Sequence, residues 1–192
     1  MLHSKNLKII RPDDWHIHLR EGKLLQCVIN STTRVIGKCI VMPNLTVPIT
    51  TSLLCKKYKE EITKLVKINY FDPYIPCYLT DDIDLNDFNL ALQENIFVGA
   101  KLYPVNTTTN SKFGVTNIEK IFPALELLIN HNKPLLIHGE KIADGINLFD
   151  REKYFIDDEL LKIVKKFPTL KVILEHVSSK YGADFINQTK NL

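Results

Sequence analysis

The residues best suited to chemistry are two histidines set two apart, His16-Ile17-His18. On an extended strand, side chains two apart leave the same face, so both imidazoles can reach one point while Ile17 turns into packing. Arg20 follows on the same side if the strand continues. By itself His-x-His is a weak signal, equally that of two unrelated polar residues at a strand end. Two further histidines change its weight. His138 ends the apolar run Leu-Leu-Ile-His and His176 ends Val-Ile-Leu-Glu-His. In a parallel α/β fold the C-terminal ends of strands gather at one mouth, where active sites lie. One histidine at a strand end is ordinarily a satisfied polar cap. Four on three strand ends form a donor set that suits zinc.

Lys101 sits late in Val-Gly-Ala-Lys-Leu-Tyr-Pro. An ammonium is repelled by metal cations and has no lone pair to donate. Two readings remain open on pattern alone. The side chain snorkels from the mouth to water, or carbon dioxide converts its amine to a carbamate, a carboxylate on a long arm able to bridge two ions. Asp13 and Asp14 precede the histidine strand and are read as turn hydrogen-bonders rather than an acid–base pair. Trp15 is expected to pack against the base of the fold. Glu140 and Glu175 adjoin histidines and could hydrogen-bond to ligating imidazoles. Glu175 alternates away from His176, which makes a surface role equally reasonable.

Strand and helix signals alternate along the chain and must position these groups. Strands are expected around 14–19, 35–42, 74–79, 97–103, 134–138 and 170–176. Helices are expected after Thr50 or Thr51, with Leu54, Tyr58, Ile62 and Leu65 at helical spacing, then over 85–93, 158–167 and 179–189. Another opens at the capping-box spacing Thr116-Asn-Ile-Glu119 and runs to about 130. The polar stretch 105–114 reads as a mobile loop. Six such strands imply a parallel α/β sheet. A doubly wound sheet and a (β/α)8 barrel compete. The first turn has no Gly-x-Gly-x-x-Gly, which weakens the dinucleotide-binding version of the former. A barrel needs eight strands over about 250 residues, and the expected architecture is one incomplete α/β barrel domain, 1–192, with about six βα units.

Composition narrows the class. The chain is 45% hydrophobic and 24% charged, a globular mixture. Its net charge of +3 is dispersed among acids, as in Lys56-Lys57-Tyr58-Lys59-Glu60-Glu61, which is a solvated helix face rather than a nucleic-acid surface. No signal peptide or membrane span is expected. Cys27, Cys39, Cys55 and Cys77 form no Cys-x-x-Cys pair, so they are expected to be small core residues in a reducing cytoplasm rather than zinc ligands.

At this point the sequence resembles a known family. Arg-Pro-Asp-Asp-Trp-His-Ile-His-Leu-Arg (11–20), Met-Pro-Asn (42–44), Ala-Lys-Leu-Tyr-Pro (100–104), His-Gly-Glu (138–140) and Glu-His (175–176) are similar to the dihydroorotases, of the shorter stand-alone bacterial type within the amidohydrolase superfamily. The resemblance implies two zinc ions per subunit. His16 and His18 would bind the more buried ion and His138 and His176 the second, with N6-carboxylated Lys101 bridging them. It implies that Arg20 and Asn44 hold a substrate carboxylate and that Thr108 and Thr109 belong to a mobile loop that closes over it. The implied reaction is the reversible cyclisation of N-carbamoyl-L-aspartate to L-dihydroorotate in pyrimidine synthesis, by a cytoplasmic homodimer with no nucleic-acid or membrane partner.

The family also uses an aspartate at the end of strand eight as zinc ligand and proton shuttle. No residue here matches it, since Asp184 falls in the last helix signal, and the catalytic acid–base group is therefore unassigned. The 192 residues by themselves are expected to be inactive. Two other readings compete: another cyclic amidohydrolase of hydantoinase type, disfavoured by Arg20 and Asn44, which suit an acidic substrate, and a non-catalytic remnant that serves as an assembly partner.

Overall fold

The computed structural model describes residues 8–67 and 70–190. Its strands are β1 (Asp14–Ile17), β2 (Lys38–Val41), β3 (Asp72–Tyr74), β4 (Cys77–Tyr78), β5 (Ala100–Leu102), β6 (Leu135–Ile137) and β7 (Val172–Leu174). All pairings are parallel, and strands pair in chain order, β1-β2-β3 and β4-β5-β6-β7. A doubly wound sheet reverses its strand order at a switch point. Among the described residues there is no such reversal, so the wall is wound one way, as in a barrel.

The strand expected at 74–79 is divided into β3 and β4. Pro76 lies between them and has no N–H for a ladder. Around it the chain changes partner. β3 pairs with β2, whereas Val98 N–H donates to Ile75 O at 3.1 Å and Cys77 N–H to Gly99 O at 3.0 Å. The two segments together make one barrel strand, and the wall then has the six strands expected.

Helices α1 (Gly22–Val35), α2 (Ser52–Leu65), α3 (Leu85–Gln93) and α4 (Phe122–Asn130) pack in series, each on the next. Helix α1 is not anticipated by the sequence reading, although Leu25, Ile29 and Thr33, four apart, form its buried stripe. It also takes Val35 out of the expected second strand. Arg11 closes its C-terminus, with its guanidinium donating to the Thr33 and Ile36 carbonyls and lying 4.0 Å over the Tyr70 ring. A cation there satisfies carbonyls that have no partner within the helix. Helix α2 begins at Thr51, whose hydroxyl accepts from Leu54 N–H at 3.3 Å.

The expected capping box at 116–119 is not used. Thr116 turns its N–H and hydroxyl to Asp81, and Asn117 instead caps a 3-10 turn, Ile118–Ile121, ahead of α4 with Pro123 in its first turn. The helix expected at 158–167 begins earlier. It comprises α5 (Arg151–Phe155), a π-helical turn (Ile156–Leu160) and α6 (Leu161–Lys166). The π turn shifts the helical phase, which hides the early segment from a 3.6-residue pattern. Helix α7 (Lys180–Gln188) is capped by the Ser179 hydroxyl.

Apolar packing is divided between two faces of the wall. The main core lies between strands and helices and includes Cys39, Val41, Leu79, Leu102 and Ile137. A small inner cluster, Ile40, Met42 and Leu136 with Tyr74, lies on the other face. Ile17 packs against the main core, as expected. Two expectations fail. Trp15 is 55% exposed, beside a register shift between Asp14 and Ile17. Cys27 is exposed on α1, while Cys39, Cys55 and Cys77 are buried free thiols. Among the described residues, no helix is long and apolar enough to cross a membrane.

Candidate metal centre

The inner face of the wall delivers the site through alternation. Lys101 is in register with Tyr78 on one side and Leu136 on the other, and Leu136 with Ile173. Two residues beyond these, on the same face, stand Tyr103, His138 and Glu175. Asn44 stands two beyond the inner residue Met42 in the same way, and His16 and His18 are set two apart. Asp14 and Asp13 secure the entry to this strand: Asp14 accepts from His16 N–H at 3.0 Å and Asp13 from Lys38 N–H at 2.9 Å.

His176 breaks the alternation. Its neighbour Glu175 is an inner-face residue, so an extended chain would send His176 outward. The backbone at His176 is left-handed, with φ +42°, an uncommon conformation for a residue with a Cβ. It brings two consecutive side chains to one mouth. The turn is held by a second buried carboxylate. Glu152 accepts from the N–H groups of Ser178 at 3.0 Å and Ser179 at 3.1 Å, and from the Ser179 hydroxyl. Glu152→Ala leaves these donors without a partner and is expected to cost about 2–3 kcal/mol, measured as a lowered urea midpoint. A loss below about 0.5 kcal/mol would show that the turn holds without it.

The four imidazoles meet in two pairs. His16 Nε2 lies 3.4 Å from His18 Nε2, and His138 Nδ1 lies 3.0 Å from His176 Nε2. The pairs adjoin, with the His16 and His176 ring centroids 5.3 Å apart. Zinc–nitrogen bonds of about 2.0–2.1 Å at a tetrahedral angle place two ligand nitrogens roughly 3.3 Å apart, so each pair has the spacing of two ligands on one ion. Nε2 of His138 is buried with no hydrogen-bond partner. Among the described residues no three His, Cys, Asp or Glu donors converge on one point. Each pair therefore lacks a third donor.

Lys101 is fully buried beneath the imidazoles and makes an ion pair with Glu175. The snorkelling alternative is excluded in this structure, because the amine does not reach water. Burial lowers the Lys101 pKa, opposed by the adjoining carboxylate. Glu175, at 7% exposure, is not a surface residue. Its other oxygen lies 2.8 Å from His16 Nδ1. Burial would raise the Glu175 pKa, but the contacts with His16 and Lys101 outweigh it and hold the group below the usual carboxylate range. Glu140, also considered as a partner for a ligating histidine, is 3.9 Å from Arg151 instead.

Electrostatics favour neutral imidazoles. Burial, with help from Arg20 and His16, pushes His18 down to about 4. Burial, then His176 and Lys101, pushes His138 to about 3. His176 is lowered too, by burial first and then by Lys101 and His16. Near neutral pH these rings hold lone pairs, as metal ligation requires.

Arg20 and Asn44 stand at the edge of this cluster. Strand β1 ends before Arg20, which is left-handed (φ +60°) and donates to Asn44 O at 3.3 Å. Tyr58 hydroxyl donates to the Arg20 carbonyl at 2.7 Å. Asn44 is almost fully buried, and its side-chain oxygen has no partner. Its amide donates to the Thr109 carbonyl at 2.9 Å, and Asn110 donates back to Asn44 O at 3.1 Å. The loop carrying Thr108 and Thr109 is thus docked on Asn44 through the Thr109 carbonyl and the Asn110 side-chain amide. Left-handed Asn106 and Asn110 shape it, and Gly114 lies where a Cβ would come 2.4 Å from the Tyr103 carbonyl. A cleft of about 950 Å³ opens between Thr46, Asp81 and Phe113 and is not lined by any of the four histidines. The cluster of convergent nitrogens is the better candidate for chemistry. Sequence reasoning did not single out Tyr103, whose buried hydroxyl has no partner, although its position two after Lys101 could have indicated it.

Known proteins place this arrangement. No family model matches the chain. It is 44% identical over 183 residues to the dihydroorotase of Yersinia enterocolitica, covering 95% of this chain and 53% of that protein. The crystal structure of dihydroorotase from Campylobacter jejuni superposes with a TM-score of 0.86 at 34% identity, over 95% of this chain and 52% of that one. L-hydantoinase from Arthrobacter aurescens, at 18% identity and TM-score 0.72 over 92% of this chain and 44% of its own, shares the fold alone. The chain thus spans about half the length of the relatives it matches. The parallel wall is an incomplete (β/α)8 barrel, and along nearly its whole length the chain is similar to the N-terminal part of dihydroorotases.

Proposed function

We propose that this chain carries the metal-binding half of a dihydroorotase site, acting on N-carbamoyl-L-aspartate and L-dihydroorotate. The observation that carries the reading is the pair of imidazole couples around one buried lysine. His16 and His18 would hold one zinc ion, and His138 and His176 the other. Each couple is a donor short, and Lys101 as an amine cannot donate twice. Carboxylated on Nζ, it becomes the shared third ligand, which accounts for a lysine at the one place where a cation is least welcome. When bound, the ions supply Lewis acidity for an amide carbonyl and an acidified water.

The chain's own residues do the rest. The Arg20 guanidinium can pair with a substrate carboxylate through two N–H groups, and Asn44 adds a neutral donor once its amide is released from Thr109. The loop bearing Thr108 and Thr109 already sits on Asn44 and would cover a ligand held there, excluding water. These carboxylate-binding anchors favour dihydroorotate over the neutral rings of a hydantoinase-type substrate.

The test is zinc content, the mass of the Lys101 peptide and binding of L-dihydroorotate, measured on one purified sample. Bound zinc in two equivalents, with the mass of one added carbon dioxide on Lys101, supports the centre. Binding of dihydroorotate but not dihydrouracil supports the substrate. A chain that binds no zinc at any bicarbonate concentration sinks the reading.

A further inference from the structure

We propose that Glu175 is a positioning residue that fixes the tautomer of His16, shared with Lys101 before that lysine is modified and left to His16 alone afterwards. The inference deepens the metal-centre reading and rests on it for its purpose, but its chemistry is a property of the metal-free chain.

The geometry is a three-way contact inside the barrel wall. One Glu175 oxygen pairs with Lys101 Nζ, and the other lies 2.8 Å from His16 Nδ1. Both Lys101 and Glu175 are buried. A carboxylate accepts and does not donate, so an imidazole nitrogen facing it carries the proton. With the proton on Nδ1, the lone pair of neutral His16 is on Nε2. That nitrogen faces His18 Nε2 at 3.4 Å, on the side where an ion would sit. Orientation of a ligating imidazole by a carboxylate on its far nitrogen is a general feature of metal sites. Here the carboxylate comes from the residue next to His176, so one short segment would orient a ring of one couple and supply a ring to the other.

The contact with His16 is close but bent, and Nδ1 has no aligned hydrogen bond. The same carboxylate also pairs with Lys101 Nζ. On carboxylation the Lys101 ammonium sheds a proton, Nζ bonds the carbon of carbon dioxide and a second proton leaves, so the cation becomes a carbamate anion that no longer attracts Glu175 and leaves it to His16 alone. Loss of that partner would then tie the modification of one ligand to the orientation of another.

The test is imidazole ring-nitrogen chemical shifts of His16 by long-range proton–nitrogen correlation, in metal-free chain at mildly alkaline pH. Glu175→Ala alone would strand a buried ammonium, so the comparison uses Lys101→Met and Lys101→Met/Glu175→Ala. In wild type and in Lys101→Met, Nδ1 should resonate as a protonated nitrogen and Nε2 as a bare one. In the double variant the assignment should invert, to the commoner Nε2–H form. Wild type in the Nε2–H form, or a double variant that keeps Nδ1–H, would overturn the proposal. A zinc titration of the wild-type sample separates the two ideas: Nδ1–H with no zinc uptake leaves the tautomer assignment standing and removes the metal reading.

Discussion

Lys101→Ala is expected to destabilise the metal-free chain by about 3–5 kcal/mol, the cost of stranding one charge of a buried pair. The partner left behind is Glu175, which is almost wholly enclosed and would keep only the bent approach of His16. A small domain has about 5–15 kcal/mol in all, so this one change would remove a large fraction of it. The loss should appear as a lower urea midpoint with little change in slope. A second substitution tells charge from volume. Lys101→Met/Glu175→Gln removes both charges and fills the space, and it should recover most of the stability, because replacing a buried pair by neutral groups of similar size is often close to neutral. Both variants lose the proposed bridging ligand, so neither should bind two zinc ions. If Lys101→Ala unfolds within 1 kcal/mol of wild type, the lysine is not an ion-pair partner in the folded chain.

Acid should destabilise the metal-free chain before its carboxylates titrate. Unfolded histidines take up protons near pH 6.5, whereas folded His18 does so at about 4 and folded His138 at about 3. Between those values the unfolded chain holds more protons, so each step down in pH favours unfolding. The loss begins near pH 6.5 and runs to the folded pKa values, with His176 adding in the same direction. Both rings keep part of their surface in water, so screening reduces the effect to on the order of 2 kcal/mol between about pH 7 and pH 5. Glu175 adds a later window. Its folded pKa lies below the ordinary carboxylate value, so its contribution is lost only under more acidic conditions. Urea midpoints measured across this range should decline, and His138→Gln should flatten the decline. A midpoint flat from pH 7 to about pH 5 would mean that the imidazoles are solvated in the folded chain. Zinc should delay the loss, because ligation and protonation compete for the same lone pairs.

The sequence by itself determined the periodicities and the residue types. Alternation over two residues was enough to put His16 with His18 and to send Ile17 into the core, and the strand-end position was enough to bring His138 to the same mouth. These are local rules, and the chain obeys them wherever its strands are regular. On strand pattern a doubly wound sheet and a barrel competed, and the strand order of the folded chain separated them. Helix α1 was legible in Leu25, Ile29 and Thr33 but has no capping side chain at its N-terminus, so its start carried no punctuation.

Only the tertiary structure decided what long-range contacts decide. The partner of a buried charge depends on which strands adjoin, and nothing within a few residues of Lys101 announces Glu175, 74 positions away. Glu175 looked outward when counted from His176, because counting assumes an extended backbone. The left-handed turn at His176, held by Glu152 from a different helix, makes both side chains face the site. Trp15 and Thr116 depart from expectation for a related reason. A distant aspartate, Asp81, offered Thr116 a contact that local pattern could not weigh, and Trp15 stands exposed beside a register shift between strands far apart in sequence.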